Sequence, residues 1–238
     1  MAFENTRRPG RLLCRSAGKI GRKGVATVST KNYSSCSDCS DASHLHWEKT
    51  GSRNLFSTRI FSLREDERRS AEGKESSFIV VNAPNWVTVI PELEAPDTPS
   101  ALSSPAGSSV NNRFLIVRQF RHGTERVGME FPAGVIDRGE TPEQAARREL
   151  LEETGYEAGE LKQIGEVSPN PAFMGNTTYT FVARRLRRVS SSLDLDEDEL
   201  LDVCTKDFSS LKSEIGLPPF DSAITVQAWF FYLRERMG

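Results

Sequence analysis

The chain has 238 residues, of which 37% are hydrophobic and 27% charged, with a formal net charge of −2. That is enough apolar material for one sizeable core with extra segments attached, and no apolar run approaches the roughly 18 residues that a membrane-spanning helix needs. Residues 1–42 carry eight Lys or Arg against three acids, a net of +5, which leaves the rest of the chain at −7; an acidic body does not favour nucleic acid as the main partner, and nothing points to a membrane.

Residues 1–42 lack periodic apolar structure and are rich in Arg, Ser and Gly, so a disordered basic tail is expected there. Early arginines also suit an organellar transit peptide, but Pro9, Gly10, Gly18, Gly21 and Gly24 break the amphipathic helix that such peptides need. With no secretory apolar segment, the expected compartment is the cytoplasm, without disulfides. Cys36 and Cys39 with His44 and His46 offer four zinc-type ligands. Their spacing matches no common finger, and the Ser-rich surroundings give no core to orient them. Cys14 and Cys204 read as ordinary free thiols.

Residues 43–112 read as a small β domain. Strands are expected at Asn54 to Leu63 and Phe78 to Pro91, with polar turns from Arg64 to Ser76 and a flexible Pro-, Ser- and Ala-rich loop at 96–112. Residues 113–238 read as the second domain. Arg113 to Val117 is a buried strand, and Thr178 to Ala183 alternates as a strand should. A loop from Ser190 to Leu195 runs into the acidic stretch Asp194 to Glu199. Leu200 to Cys204 follows as a strand, Phe208 to Ile215 as a helix, and Ser222 to Glu235 as the last helix.

Between Gly134 and Tyr156 the residues are placed by chemistry. Thr141 can cap a helix, Pro142 suits its first position, Gln144 can complete a capping box, and Gly155 suits a left-handed stop. On the helix between them, Glu149, Glu152 and Glu153 stand at i, i+3 and i+4 and share one face. Like charges so placed cost an isolated helix about a few tenths of a kcal/mol per pair. A divalent cation would neutralise them, and hard oxygen donors point to magnesium or manganese.

Gly134, five residues, Glu140, seven residues, Arg148-Glu149-Leu150, then Glu152-Glu153, Gly155 and an aromatic residue: this spacing resembles the Nudix box at every defining position. The stretch from Val117 to Leu186, with Pro171 about fifteen residues beyond the box, is similar to the ADP-ribose pyrophosphatase subfamily. The resemblance implies an α/β fold, the Nudix α/β/α sandwich with a mixed sheet, preceded by a small N-terminal β domain that is exchanged between the subunits of a homodimer. It implies metal ligation by the Ala133 carbonyl and by Glu149, Glu152 and Glu153. Arg148, paired with Glu140, would hold the glutamates in place. Arg121 would contact the diphosphate, Glu130 would help to anchor the substrate, and Pro171 would mark the substrate side. The general base would be a glutamate of the acidic loop, Glu199 or Glu197, with loop length favouring Glu199 and with Glu152 next in line. The reaction implied is hydrolysis of ADP-ribose to AMP and ribose 5-phosphate. Another nucleoside diphosphate conjugate, such as a sugar nucleotide, FAD or NADH, is the alternative. A nucleotide-binding regulator without catalysis fits less well, since such domains commonly lose box glutamates and this chain keeps them all.

Overall fold

The computed structural model describes residues 42–93, 112–190, 193, 195 and 200–237. The basic tail up to Asp41, the 96–112 loop apart from Asn112, and both Glu197 and Glu199 lie outside the described residues. After a 3-10 turn at Ser43–Leu45, three antiparallel strands make a sheet of their own: β1 (Trp47–Ser57), β2 (Ser62–Ser70) and β3 (Glu75–Asn82).

Strand β2 corrects the expected polar turn, because Arg64 to Arg69 is paired on both sides. Its sequence, Ser-Leu-Arg-Glu-Asp-Glu-Arg-Arg-Ser, lacks the apolar alternation that announces a strand. Ion pairs take the place of apolar packing. The fully buried Asp66 accepts a hydrogen bond from Ser52 Oγ at 2.6 Å and is paired with Lys49, Arg64 and Arg68 at 3.1, 3.1 and 3.3 Å. Burial alone would raise its pKa, but the bonds from Ser52, Lys49 and Arg64 outweigh that and hold the carboxyl well below the usual range. The expected Asn54–Leu63 strand is likewise interrupted. Thr58 Oγ1 accepts from the N–H groups of Ile60 and Phe61 and turns the chain between β1 and β2.

The second correction concerns β4 (Trp86–Leu93), which the sequence reading joined to β3 within the small β domain. The chain breaks at Ala83-Pro84-Asn85, and β4 is an interior strand of the large sheet. Its buried run from Val87 to Glu92 is what a strand covered on both faces requires. The sheet continues with β5 (Arg113–Arg121), β6 (Arg126–Glu130), β7 (Ala133–Val135), β8 (Tyr156–Val167), β9 (Thr178–Arg188) and β10 (Leu201–Asp207). The order is β10-β5-β4-β9-β8, with β6 on β5 and β7 on β4; β4 and β9 run parallel and the other pairings are antiparallel, so the sheet is mixed. Sequence reasoning placed no element at β8, whose polar residues hide the pattern until they are paired with β9.

Helices α1 (Pro142–Thr154), α2 (Phe208–Glu214) and α3 (Ala223–Met237) complete the chain. Helix α1 buries Ala145, Ala146 and Leu150 against Val87, Val89, Phe181 and Ala183 on one face of the sheet. On the other face, α3 packs Ala228, Trp229 and Tyr232 against Ile90, Phe114, Ile116, Phe131 and Val182. This is the expected α/β/α sandwich. At one end of β4 the buried Glu92 accepts from Tyr232 Oη at 2.7 Å and from Arg184 Nε at 2.9 Å, which ties α3 and β9 to β4. Near that end β4 and β5 pair through Glu92 with Phe114 and Leu93 with Arg113. Beyond it, β7 pairs with β4 and β6 with β5, so the sheet splays where the conspicuous glutamates lie.

Candidate active site

The glutamate helix starts and stops as its sequence dictates. The Gln144 N–H donates to Thr141 Oγ1 at 3.2 Å while the Thr141 N–H donates to Gln144 Oε1 at 2.8 Å, closing the capping box. Gly155 ends the helix at φ 74°, and its N–H donates to the Leu151 carbonyl. These caps fix the phase of the helix, and therefore which carboxylates face outward.

Arg148 organises the site. Its Nε and Nη2 donate to the two oxygens of Glu140 at 3.1 and 3.0 Å, and Nη2 also reaches the Val135 carbonyl at 2.9 Å. Nη1 is shared by Glu149 at 2.8 Å and Glu152 at 3.0 Å. One guanidinium thus locks the loop carboxylate, the β7 backbone and two helix carboxylates together. The bond from Arg148 holds the Glu140 carboxyl below the usual range, and Glu140, with Glu149 and Glu152, pushes the guanidinium pKa further up. The remaining box glutamate, Glu153, is turned inward. It is 1% exposed and its Oε2 accepts from the Ala133 N–H at 3.0 Å. Gly134 is pressed onto Glu149: a Cβ there would stand 2.0 Å from Oε1, so glycine is required by close approach.

These groups open into a cleft of about 390 Å³ lined by Trp86, Arg121, Ala133, Gly134, Val135, Asp137, Arg148, Glu149, Glu152 and Leu195. Of the residues singled out in the sequence, the cleft brings together Arg121, Ala133, Arg148, Glu149 and Glu152. Glu153 lies behind its wall. Glu130 is 7% exposed and both of its oxygens are engaged by Arg121, at 2.9 and 3.0 Å, so it acts on the cleft by orienting that guanidinium. Pro171 lines a different pocket, against the three-stranded sheet. Glu197 and Glu199 lie outside the described residues, but Leu195, at the start of their loop, lines the cleft. Trp86, Val135 and Asp137 were missed. Trp86 was legible only as an apolar residue of a strand, and its place on the cleft depends on the pairing of β4 with β7.

The donors fit a hard divalent cation. The Ala133 carbonyl and the carboxylates of Glu149 and Glu152 offer oxygen donors on one cleft, and the missing Cβ at Gly134 is what lets the Glu149 carboxylate stand against β7. As the side chains stand, Arg148 Nη1 holds Glu149 and Glu152, and Glu153 is bonded to the Ala133 N–H. Among the described residues no three Asp, Glu, His or Cys side chains converge on one point. Among the same residues no helix is long and apolar enough to cross a membrane.

Comparison with known proteins agrees with this geometry. Residues 108–224 match the model of the NUDIX domain, a span that contains β7, α1 and the whole cleft helix. The chain is 32% identical over 157 residues to the ADP-ribose pyrophosphatase of Bacillus subtilis, covering 66% of this chain and 76% of that enzyme. It is 31% identical over 157 residues, with the same coverage, to the methanol dehydrogenase activator of Bacillus methanolicus. In three dimensions it is similar to the crystal structure of an ADP compounds hydrolase, at a TM-score of 0.65, with 22% identity, 81% of this chain and 95% of that one; this last likeness is one of fold. The family is generally dependent on divalent metal. Identity at this level over three quarters of a relative, with Glu149, Glu152 and Glu153 in place on a capped helix and Glu140 on the loop before it, makes the chain a member of the Nudix hydrolase family.

Proposed function

We propose that the chain hydrolyses the diphosphate of ADP-ribose to AMP and ribose 5-phosphate with magnesium, or manganese in its place. The observation that carries the reading is the cleft in which Arg148 holds both Glu149 and Glu152 beside Gly134, with Arg121 on the same lining. Ala133, Glu149, Glu152 and Glu153 would hold the cation, which supplies Lewis-acid stabilisation of charge on the phosphoryl oxygens. Arg121, braced by Glu130, binds the diphosphate and fixes its orientation. Arg148 keeps the carboxylates in register. Glu199, with Glu197 as the alternative, takes the proton from the attacking water. The presence of Leu195, two residues before Glu197 in the sequence, on the lining of the cleft supports this assignment.

Two further readings go with this one. The enzyme acts as a cytoplasmic homodimer built through the three-stranded sheet, and residues 1–42 take no part in catalysis. Another nucleoside diphosphate conjugate remains the alternative substrate. A panel of ADP-ribose, ADP-glucose, FAD, NADH and capped RNA, with release of phosphate by a phosphatase as readout, tests the assignment. Preference for ADP-ribose, dependent on divalent metal, is the expected result. Turnover of none of the panel would sink the reading.

A further inference from the structure

Two consecutive arginines, then any residue, then a serine or threonine: this pattern occurs once in the chain, at Arg187-Arg188-Val189-Ser190. The carboxylate cleft makes no use of these residues. They lie beyond the shared core of the sheet. β4 pairs with β9 only as far as Ala183, so among the described residues the end of β9 is paired with β8 alone. The strand stops at Arg188, and the next two residues are tied down at one point, where the N–H groups of Val189 and Ser190 both donate to the Gly155 carbonyl, at 2.9 and 3.2 Å. Arg188 is exposed, Val189 is 39% exposed, and the Arg187 side chain is 75% exposed. Arg187 is paired with Glu157 at 2.7 Å, but an ion pair this open to water contributes little to holding the strand. A segment at the end of a two-stranded ribbon, with few bonds and little burial, opens at low cost.

Ser190 lies against the left-handed stop of α1. A Cβ on Gly155 would stand 2.6 Å from the Ser190 carbonyl oxygen and 3.7 Å from Ser190 Cβ. Glu152 and Glu153 are in the turn just before that stop. The C-terminal end of a helix is its negative end, so further negative charge there is unfavourable. Arginines placed before a serine fit the carboxylates of a kinase's peptide groove, by charge and by paired hydrogen bonds. We propose that Ser190 is a phosphorylation site for an arginine-directed serine kinase, and that a phosphate there loosens the last turn of α1. In the transfer, Ser190 Oγ bonds to the γ-phosphorus of ATP, the bond to the β–γ bridging oxygen breaks, ADP leaves and the hydroxyl proton goes to the kinase's base. The product carries nearly two negative charges and three strong acceptor oxygens. Arg188, whose Nε donates to the Ser190 carbonyl at 3.2 Å, is drawn from that carbonyl to the phosphate. The Gly155 carbonyl then loses its two donors while like charge gathers at the helix end. The site stands without the hydrolase reading. A consequence for metal rests on that reading, since Glu152 and Glu153 are its proposed ligands in this turn.

The test treats the full chain with the catalytic subunit of cyclic-AMP-dependent protein kinase and MgATP and maps the product by tandem mass spectrometry. Phosphate on Ser190 is expected, with the rate lowered at least about tenfold in Arg187→Gln/Arg188→Gln. Phosphate on Ser191 or Ser192 in its place overturns the proposal. So does a peptide of residues 184–193 that is phosphorylated while the folded chain is not, because the fold then keeps the kinase out. Hydrogen exchange reads the effect on the helix. The amides from Leu151 to Gly155 should exchange at least about threefold faster in the phosphorylated chain, and those of Ala145 and Ala146 should be unaltered. Ser190→Ala, treated alike, should show neither the phosphate nor the faster exchange. Unaltered exchange in a chain fully phosphorylated on Ser190 overturns the proposed loosening. After dialysis against EDTA to remove ATP and metal, and then removal of the EDTA, the phosphorylated chain should bind manganese at least about threefold more weakly, as read from the electron paramagnetic resonance of the free ion. Faster exchange with unaltered manganese affinity overturns the link from that turn to the metal. Absence of manganese binding in both forms sinks the functional reading instead, and the exchange result then decides the proposal by itself.

Discussion

Gly134→Ala isolates the geometry of the cleft from the stability of the fold. The added Cβ would stand 2.0 Å from Glu149 Oε1, 2.2 Å from Cδ and 2.5 Å from Oε2. Contact between unbonded heavy atoms is comfortable at about 3.5 Å, so the carboxylate has to retreat by roughly an ångström or more. Retreat breaks its 2.8 Å contact with Arg148 Nη1 and shifts a proposed metal ligand. Misplacement by about 1 Å costs on the order of a hundredfold in rate, which is about 2.7 kcal/mol of transition-state stabilisation. The fold has no such reason to suffer. Gly134 is in a strand, not in the left-handed region, and the clash is with the end of a side chain facing the cleft. Alanine in a strand even recovers roughly 0.5–1 kcal/mol of backbone entropy. The expected outcome is a fall of about a hundredfold in kcat/KM for ADP-ribose with a melting temperature near that of the parent. Phosphate release coupled to a phosphatase gives the first quantity and circular dichroism the second. In a Glu149→Ala background the glycine substitution should add little, since the two act through one contact. Turnover within threefold of the parent in Gly134→Ala would falsify the idea that close approach of Gly134 sets the position of Glu149.

Four other outcomes follow from named contacts. Glu153→Gln can still accept from the Ala133 N–H but removes the charge, so it should keep the melting temperature and lower turnover by orders of magnitude; near-normal hydrolysis removes Glu153 from the metal site. Glu199→Gln should lose about a hundredfold or more in kcat, with KM little changed, and Glu197→Gln much less; the reverse order shifts the base by two residues, and silence of both makes Glu152 the candidate. Deletion of residues 1–42 should leave kcat/KM for ADP-ribose intact, and loss of activity in a folded truncation would refute that division of the chain. Asp66 has a folded pKa held below its unfolded value of about 3.9, so the stability it contributes is present above about pH 4 and is lost as the pH falls towards the folded pKa. The protection factors of the β1–β3 amides, corrected for the intrinsic exchange rate at each pH, should therefore fall below about pH 4, and Asp66→Asn should destabilise the sheet at neutral pH by about 3 kcal/mol and flatten that acid limb.

What the sequence revealed was set by how far each signal reaches along the chain. The cap of α1, the left-handed Gly155 and the i, i+3, i+4 face of glutamates are all specified within one helix, and the structure has them as read. The mixed sheet followed from the resemblance, not from the residues. β4 looks like a continuation of β3 until its parallel partner β9, some ninety residues later, is known from the register Trp86 with Thr178. A strand such as β2 evades pattern reading for a different reason. Its stabilising partners are charges on two neighbouring strands, and a row of charged residues has no period that distinguishes it from a turn.

The same distinction of range separates the two halves of the site. The charge-handling half is local: Glu140, Arg148, Glu149, Glu152 and Glu153 span fourteen residues, and one guanidinium ties them to the Val135 carbonyl. Such a unit keeps its geometry wherever the helix packs beside β7, which is why a spacing of residue types is enough to recognise it. The other half is assembled from distant pieces. Arg121 depends on Glu130 across the β5–β6 hairpin, and Trp86 enters from β4, some ninety residues from its parallel partner strand. The carboxylate cluster could therefore be read from one segment, whereas the other walls of the cleft rest on packing between segments far apart in the chain, which no local pattern of residue types announces.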